Sequence, residues 1–358
     1  VQGKVMQGAP GWAGPLFIDD GSGAHVQVVL PPGVTSPGYG ACVVVTGAAS
    51  CAREHQQITG PANPTYKDFQ RRVVLAKEVQ TSKPPPAWNY TGEMVYIPAG
   101  SFLMGYSGIG DDAVYSDSWE LPQHSVYLSA YCIGKYEVTR ADYRKFIEAG
   151  GYSNPAYWST EGWKLMVNYL KKQPEYWGAQ QDWGTGTFTQ TDSHPVVGLT
   201  YYEAEAFCNW AGGHLPTGAQ WEKAARWDAA AGHSNVYPWG DVWDPEKCNN
   251  FWDHNAAGGG YEKNQTAPVG SYPSGASPYG CQDMAGNAYE FCRDWWSSSY
   301  YSQTPLGGWL DPQGPSREMF RSLRGGSWDR STWGYRCAFH YHVFPYGYLN
   351  EFGFRLAR

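Results

Sequence analysis

Apolar positions follow two different rhythms along this chain. From Val1 to Ala76 they gather in short β-branched runs, Val1–Met6, Leu16–Ile18, His25–Leu30, Cys42–Thr46 and Arg72–Ala76. Turn residues such as Asp19-Asp20-Gly21-Ser22-Gly23 and Pro31-Pro32-Gly33 separate them. These runs predict a small all-β barrel over residues 1–82. Pro84-Pro85-Pro86 then holds the chain extended, which marks residues 83–92 as a linker.

After the linker the rhythm changes. Val95–Gly105 reads as strand, turn, strand, and three later stretches carry helical start and stop signals. Thr139, with Asp142 three residues on, caps a helix over Glu137–Gly150 whose apolar stripe is Tyr143, Phe146 and Ile147. Thr200 with Glu203 opens a second, with Phe207 and Trp210 inward and Gly212-Gly213 as its stop. Thr217 with Gln220 opens a third, with Trp221 and Ala225 inward, ending before Gly232. Residues 151–195 and 236–280 show no clean period and predict irregular structure.

The last stretch, Arg324–Arg358, breaks both rhythms. Its ends look like scaffold: RGGSW gives a tight glycine path, and GFRLAR alternates Phe354 and Leu356 with Arg355 as a strand does. Between them Tyr335, Phe339, Tyr341, His342, Phe344, Tyr346 and Tyr348 crowd a segment bent by Gly334, Pro345 and Gly347. Loops are ordinarily polar, so this reads as a surface held ready for a partner, or else as a satellite core under a long loop. On the first reading those seven rings face solvent or a shallow groove. Arg324, Trp328, Cys337, Ala338, Phe354 and Leu356 then belong to the buried scaffold.

Composition narrows the classes. With 42% hydrophobic and 16% charged residues the chain is globular, and Trp 18, Tyr 27, Gly 44 and Pro 25 point to many pinned turns. Residues 1–90 hold 7 Lys+Arg against 5 Asp+Glu and the rest 19 against 28, which argues against nucleic acid as the main target. No apolar run is long enough to span a membrane, and Val1–Pro10 lacks a signal-peptide layout. Eight cysteines without a C-x-x-C pair point to buried free thiols and a reducing, cytoplasmic setting; Cys42 and Cys51 are close enough for a hairpin bridge. No G-x-S-x-G elbow, Walker loop or dinucleotide fingerprint is present.

The motifs IPAGSFLMG, EVTRADYRKFI, HPVVGLTYYEAEAFCNWAGGHLPTGAQWEKAARW, YPWGD, TAPVGSYP, DMAGNAYEFCRDWW, RGGSW and GFRLAR occur in a fixed order. Together they resemble the formylglycine-generating-enzyme (sulfatase-modifying factor) family over residues 93–358. The resemblance implies an α+β, loop-rich domain of C-type lectin-like fold whose last strands form a binding face. The layout of residues 1–82, strand, DGSG turn, strand, resembles an oligonucleotide/oligosaccharide-binding (OB) fold, here a structural or docking module.

The family's enzymes bind copper through two cysteines after R-G-G-S, at positions held here by Arg330 and Tyr335. A soft Cu(I) ion needs thiolates, so copper is not expected and the chain is expected not to be an enzyme. Cys337 matches a family cysteine usually in a disulfide, whose partner position is Ala225. Related iron-dependent sulfoxide synthases take histidines from a helical domain, which the β-rich residues 1–82 do not supply. The segment after RGGSW instead resembles the variable proteins of diversity-generating retroelements, where adenine-directed mutagenesis rewrites Asn codons. Such mutagenesis cannot produce Lys, Gln, Met, Glu or Trp, and from Asp329 to Phe352 only Glu351 and Trp333 fall outside the accessible set.

The ligand-binding residues expected within segment 329–352 are Asp329, Arg330, Ser331, Gly334, Tyr335, Phe339, Tyr341, His342, Val343, Phe344, Tyr346, Gly347, Tyr348, Leu349 and Phe352. The expected partner is a varied protein ligand, bound by a monomer. The resemblance also maps calcium ligands onto Asp283, Gly286, Ala288 and Glu290, and a second site onto Asn250 and Phe251, where Tyr261 stands near an expected acid. Oxygen donors on a glycine turn suit calcium, while the same carboxylates also suit plain hydrogen-bond acceptors. Cys248 with His254, and His194, read as packing.

Overall fold

The computed structural model forms two compact units. Val1–Pro85 with Tyr96–Gly100 and Ser129–Cys132 make one; Pro86–Val95, Ser101–Leu128 and Ile133–Arg358 make the other. Described are residues 88–358 apart from 170, 178–180, 183–186, 189, 252–264 and 331, and before residue 88 the backbone of the strands alone.

The first unit carries β1 (Gln2–Gln7), β2 (Leu16–Asp19), β3 (His25–Val29), β4 (Cys42–Val44), β5 (Ala48–Ile58) and β6 (Thr65–Leu75), in one sheet of order β4-β1-β2-β3-β6-β5. The ladder between β5 and β6 runs unbroken from Ala48 opposite Leu75 to Ile58 opposite Thr65. The apolar runs missed β5 and most of β6, because their sequences, ASCAREHQQI and TYKDFQRRVVL, are largely polar. The side chains of Cys42 and Cys51 lie outside the described residues.

After these come β7 (Met94–Ile97), β8 (Gly100–Met104), α1 (Asp112–Tyr115), β9 (His124–Leu128), β10 (Tyr131–Gly134), α2 (Arg140–Glu148) and α3 (Thr160–Asn168). Then follow β11 (Gln181–Asp182), β12 (Thr187–Phe188), α4 (Tyr201–Ala211), α5 (Gly218–Arg226), β13 (Trp227–Asp228) and β14 (His233–Ser234). Last are β15 (Tyr289–Trp296), β16 (Trp309–Leu310), β17 (Phe320–Arg324), β18 (Tyr341–Val343) and β19 (Phe352–Gly353). The architecture is mixed α/β with long irregular connections.

The helix signals act locally as their chemistry requires. The Thr139 hydroxyl accepts the Asp142 N–H at 3.1 Å, and Thr200 with Glu203 and Thr217 with Gln220 form reciprocal capping boxes. Helix α3 lies inside the stretch without a period. Ser159 makes no capping bond there, so no start signal marks it, and Gly162 packs tightly on Tyr202.

Between α2, α4 and the sheet β18-β17-β15-β19 lies an aromatic core. Tyr143 and Phe207 stack at 5.4 Å, and Phe207 meets Phe354 edge-on. The register of β15 on β17 slips between Phe291 and Trp295, a bulge that re-aims the following side chains.

The end of the chain departs from the strand alternation. Phe354, Leu356 and Ala357 are buried, and Arg355, read as an outward position, is fully buried as well. Its guanidinium pairs with Glu290 at 2.5 and 2.6 Å and donates to the carbonyls of Gly134 and Gln282. Cys208, Cys248, Cys281, Cys292 and Cys337 are buried and outside any disulfide, whereas Cys132 is disulfide-bonded.

Candidate ligand-binding face

The RGGSW turn sets the geometry of the C-terminal segment. Gly325 and Gly326 have φ of +88° and +72°, and a Cβ on Gly326 would lie 2.8 Å from the Gly334 carbonyl, so only glycine lets the two strands of the loop close. The far end is tied back by Glu351, which accepts from the Ser327 hydroxyl at 2.5 Å and from Arg330 at 2.8 Å.

Two buried guanidinium groups carry the floor. Arg324 pairs with Glu222 at 3.1 Å and donates to the Ala338 carbonyl at 3.0 Å and the Tyr301 hydroxyl at 2.8 Å. Arg336 takes Glu120 with both terminal nitrogens at 2.7 Å, Asp112 at 2.9 Å and the Tyr115 carbonyl at 2.8 Å. The segment 333–342 is thereby locked to the segment 112–120. Trp328, Cys337 and Ala338 are buried in this scaffold.

The aromatic residues divide between floor and surface. Tyr335, Phe339 and Phe352, expected on the ligand face, are buried at 0%, 3% and 1% exposure, and Gly334 is buried too. Tyr335 stacks on Trp243 at 5.1 Å, and its hydroxyl bonds with the backbone of Arg330 and accepts the Phe251 N–H. Phe339 meets Trp333 edge-on at 5.0 Å, and Phe352 joins the core beside Phe291. Side-chain type alone does not tell which rings turn under a loop; the anchoring Arg324 and Arg336 decide it.

At the surface stand Phe344, Tyr346, Tyr348 and Leu349, with Asp329 also exposed. Arg330, Tyr341, His342, Val343 and Gly347 are part-exposed, and Ser331 lies outside the described residues. The rings form a continuous row: Trp296 stacks on His342 at 4.0 Å, His342 meets Phe320 at 4.9 Å, Phe320 meets Phe344 at 4.7 Å, and Phe344 stacks on Tyr346 at 5.1 Å. Beside the row an open groove of about 410 Å³ is lined by Trp119, Trp333, Phe339, His340, Tyr341 and His342, together with Tyr115 and Asp117. This volume lies in the range of small-ligand sites. Trp119, Trp296 and Phe320 come from distant parts of the chain, and no local signal assigned them to a site.

His340 lines the groove and also a cavity of about 20 Å³ behind it, shared with His124, Asp294 and Arg324. Burial, helped by Arg324, pushes the His340 ring well below the usual histidine range, and burial lowers His342. A histidine neutral in the fold but near 6.5 when unfolded supports stability above about pH 6.5 and loses that support as pH falls. The melting temperature of His340→Gln should therefore fall less steeply than that of the wild type between about pH 6.5 and 5; equal slopes would mean that the ring titrates normally.

The metal expectations meet the same test of fit. Both Glu290 oxygens are taken, one by Arg355 and the other by Arg355 and the Trp221 indole, so a calcium ion would have to displace a guanidinium. The Asp283 carboxylate accepts the Gly270 N–H at 2.6 Å, and Arg355 also reaches toward the Asp283 carbonyl. Glu290 is the counter-ion of Arg355 rather than an open donor, so the set Asp283, Gly286, Ala288 and Glu290 offers calcium no unoccupied Glu290 oxygen. Glu137, which no sequence signal marked, takes the Asn287 amide and the Ala288 N–H in the same region, its pKa raised by burial. Asn250 donates to the carbonyls of Pro245 and Cys248; Tyr261 and His254 lie outside the described residues. Arg330 and Tyr335, at the copper-cysteine positions, are an ion-pair donor and a buried phenol, which do not fit copper.

Comparison with known proteins places this geometry. A hercynine oxygenase from Mycolicibacterium smegmatis is 34% identical over 70% of this chain and 58% of its own length. A formylglycine-generating enzyme from Streptomyces coelicolor is 33% identical over 80% of this chain and 96% of its own. The chain spans little more than half the length of the first curated relatives it matches, 58% and 54%. Treponema denticola variable protein 1 has the same fold, with a TM-score of 0.53 and 22% identity over 75% of this chain and 97% of that one. The expectation that the chain is not an enzyme is overturned by relatives at 33–34% identity that are named as enzymes. A model of the sulfatase-modifying factor enzyme 1-like domain matches residues 80–358, and the chain belongs to that family.

Proposed function

We propose that this protein recognises a polypeptide ligand through its C-terminal aromatic face, and that a retroelement diversifies this face. The observation that carries the reading is the division within one segment: rings fixed in the floor by Arg324 and Arg336, and a continuous exposed row above them. Rigid aromatics give large contact area with little rotamer entropy to lose on binding. The variable-protein fold supports the reading. The N-terminal strands serve as an OB-like docking module, and the binding form is a monomer. The genomic test is a near-copy of the Arg324–Arg358 coding segment, rich in AAC codons, beside a reverse transcriptase; its absence would remove the retroelement part.

A second reading, favoured by the 33% identity to a formylglycine-generating enzyme, is an oxidoreductase acting on a protein cysteine. Incubation with copper and a cysteine-containing sulfatase-motif peptide separates the two. Arg330 and Tyr335 supply no thiolate, so the first reading expects no aldehyde. Conversion of the peptide would make the face a substrate site of an enzyme.

A further inference from the structure

We infer that the free edge of β18 takes an extended stretch of the polypeptide ligand by main-chain pairing, as one more strand of its sheet; this rests on the ligand-binding reading and names how the face holds its ligand. The sheet β18-β17-β15-β19 has two edges. At one, Phe352 and Gly353 of β19 are buried; at the other, Tyr341, His342 and Val343 of β18 are all half-buried. On an edge strand half of the main-chain N–H and C=O groups point away from the neighbouring strand. β17 takes one side of β18, with Arg321, Ser322 and Leu323 opposite Val343, His342 and Tyr341. On the other side no strand and no main-chain bond meets these three residues among the described residues.

The aromatic groove lies on that open side. Successive residues of a strand point to opposite faces, so a groove on one face of the sheet touches every second residue. This one touches both Tyr341 and His342, and no residue of β17, so it runs along the edge; Trp119 and Trp333 complete its lining. Open edges are ordinarily blunted by Lys, by Pro or by an inward charge, and Tyr341, His342 and Val343 bring none of these.

β18 is three residues long, so the pairing is short and the exposed rings of Phe344 and Tyr346 supply further contact beside it. Main-chain groups do not change when side chains are rewritten. The edge therefore gives every variant of the face the same anchor, and the ring row gives each its own selection, the division of labour by which strand addition combines affinity with specificity.

The test takes linear peptides enriched from a displayed random library on the full chain and resynthesises each with one main-chain nitrogen methylated at a time. Strand pairing engages alternate residues, so methylation at every second position of one stretch should weaken binding about tenfold or more, while methylation between them should be tolerated. Hydrogen exchange of the chain with such a peptide bound should slow at N–H groups within Tyr341–Val343. Methylation tolerated throughout, losses that recur every third or fourth residue, or unchanged exchange at Tyr341–Val343 would overturn the assignment. If binding then still depended on Phe344 and Tyr346, the face would stand without the edge. A library from which no peptide is enriched would remove the ligand-binding reading and the edge assignment with it.

Discussion

Replacing Arg336 with methionine should cost about 3–5 kcal/mol of stability, the usual penalty for removing one partner of a buried ion pair. Arg336, Asp112 and Glu120 are all fully buried. Asp112 keeps a contact with Arg226, but Glu120 loses the guanidinium that holds both its oxygens. Burial already raises the Glu120 pKa against the pull of Arg336, and without that pull the folded carboxyl rises further above its unfolded value. A carboxyl raised in the fold stabilises below the unfolded pKa, near 4.3, and loses that contribution as pH rises. The deficit of Arg336→Met relative to wild type should therefore be largest at neutral pH and shrink toward about pH 4–5. Adding Glu120→Gln should recover part of it. Denaturant melts of the single and double variants at both pH values check this, and a pH-independent deficit would assign the loss to packing alone.

Floor and surface rings should respond oppositely to truncation. Tyr335 is buried against Trp243 and bonds to Arg330 and Phe251, so Tyr335→Ala should cost roughly 3–5 kcal/mol, as large aromatic truncations in cores do. Tyr346 is 53% exposed, and Tyr346→Ser should change stability by less than about 0.5 kcal/mol. Melting curves of the two variants decide it. A Tyr346→Ser loss close to that of Tyr335→Ala would make the row part of the core.

Much of the scaffold was legible in the sequence because its signals are local. Thr139, Thr200 and Thr217 each bond to a backbone N–H three residues on, so the type and spacing of two residues suffice to place a helix start. Helix α3 carries no such pair, and β5 and β6 are strands by pairing rather than by apolar alternation. The face was half legible. That Arg324–Arg358 carries an aromatic cluster is a matter of composition, but which rings reach solvent depends on Asp112, Glu120 and Glu222, far away in the chain. The partner of Glu290 was illegible for the same reason: nothing near it in sequence announces that Arg355 fills its carboxylate.

The central claim, that recognition and folding are separate within one segment, is tested most directly by selecting a displayed random peptide library on the wild-type protein. The enriched peptides are then measured against Phe344→Ser/Tyr346→Ser/Tyr348→Ser. The expected result is a loss of peptide affinity of about tenfold or more, with a melting temperature within a few degrees of wild type. Unchanged affinity in the folded variant, or a variant that no longer folds, would contradict the account.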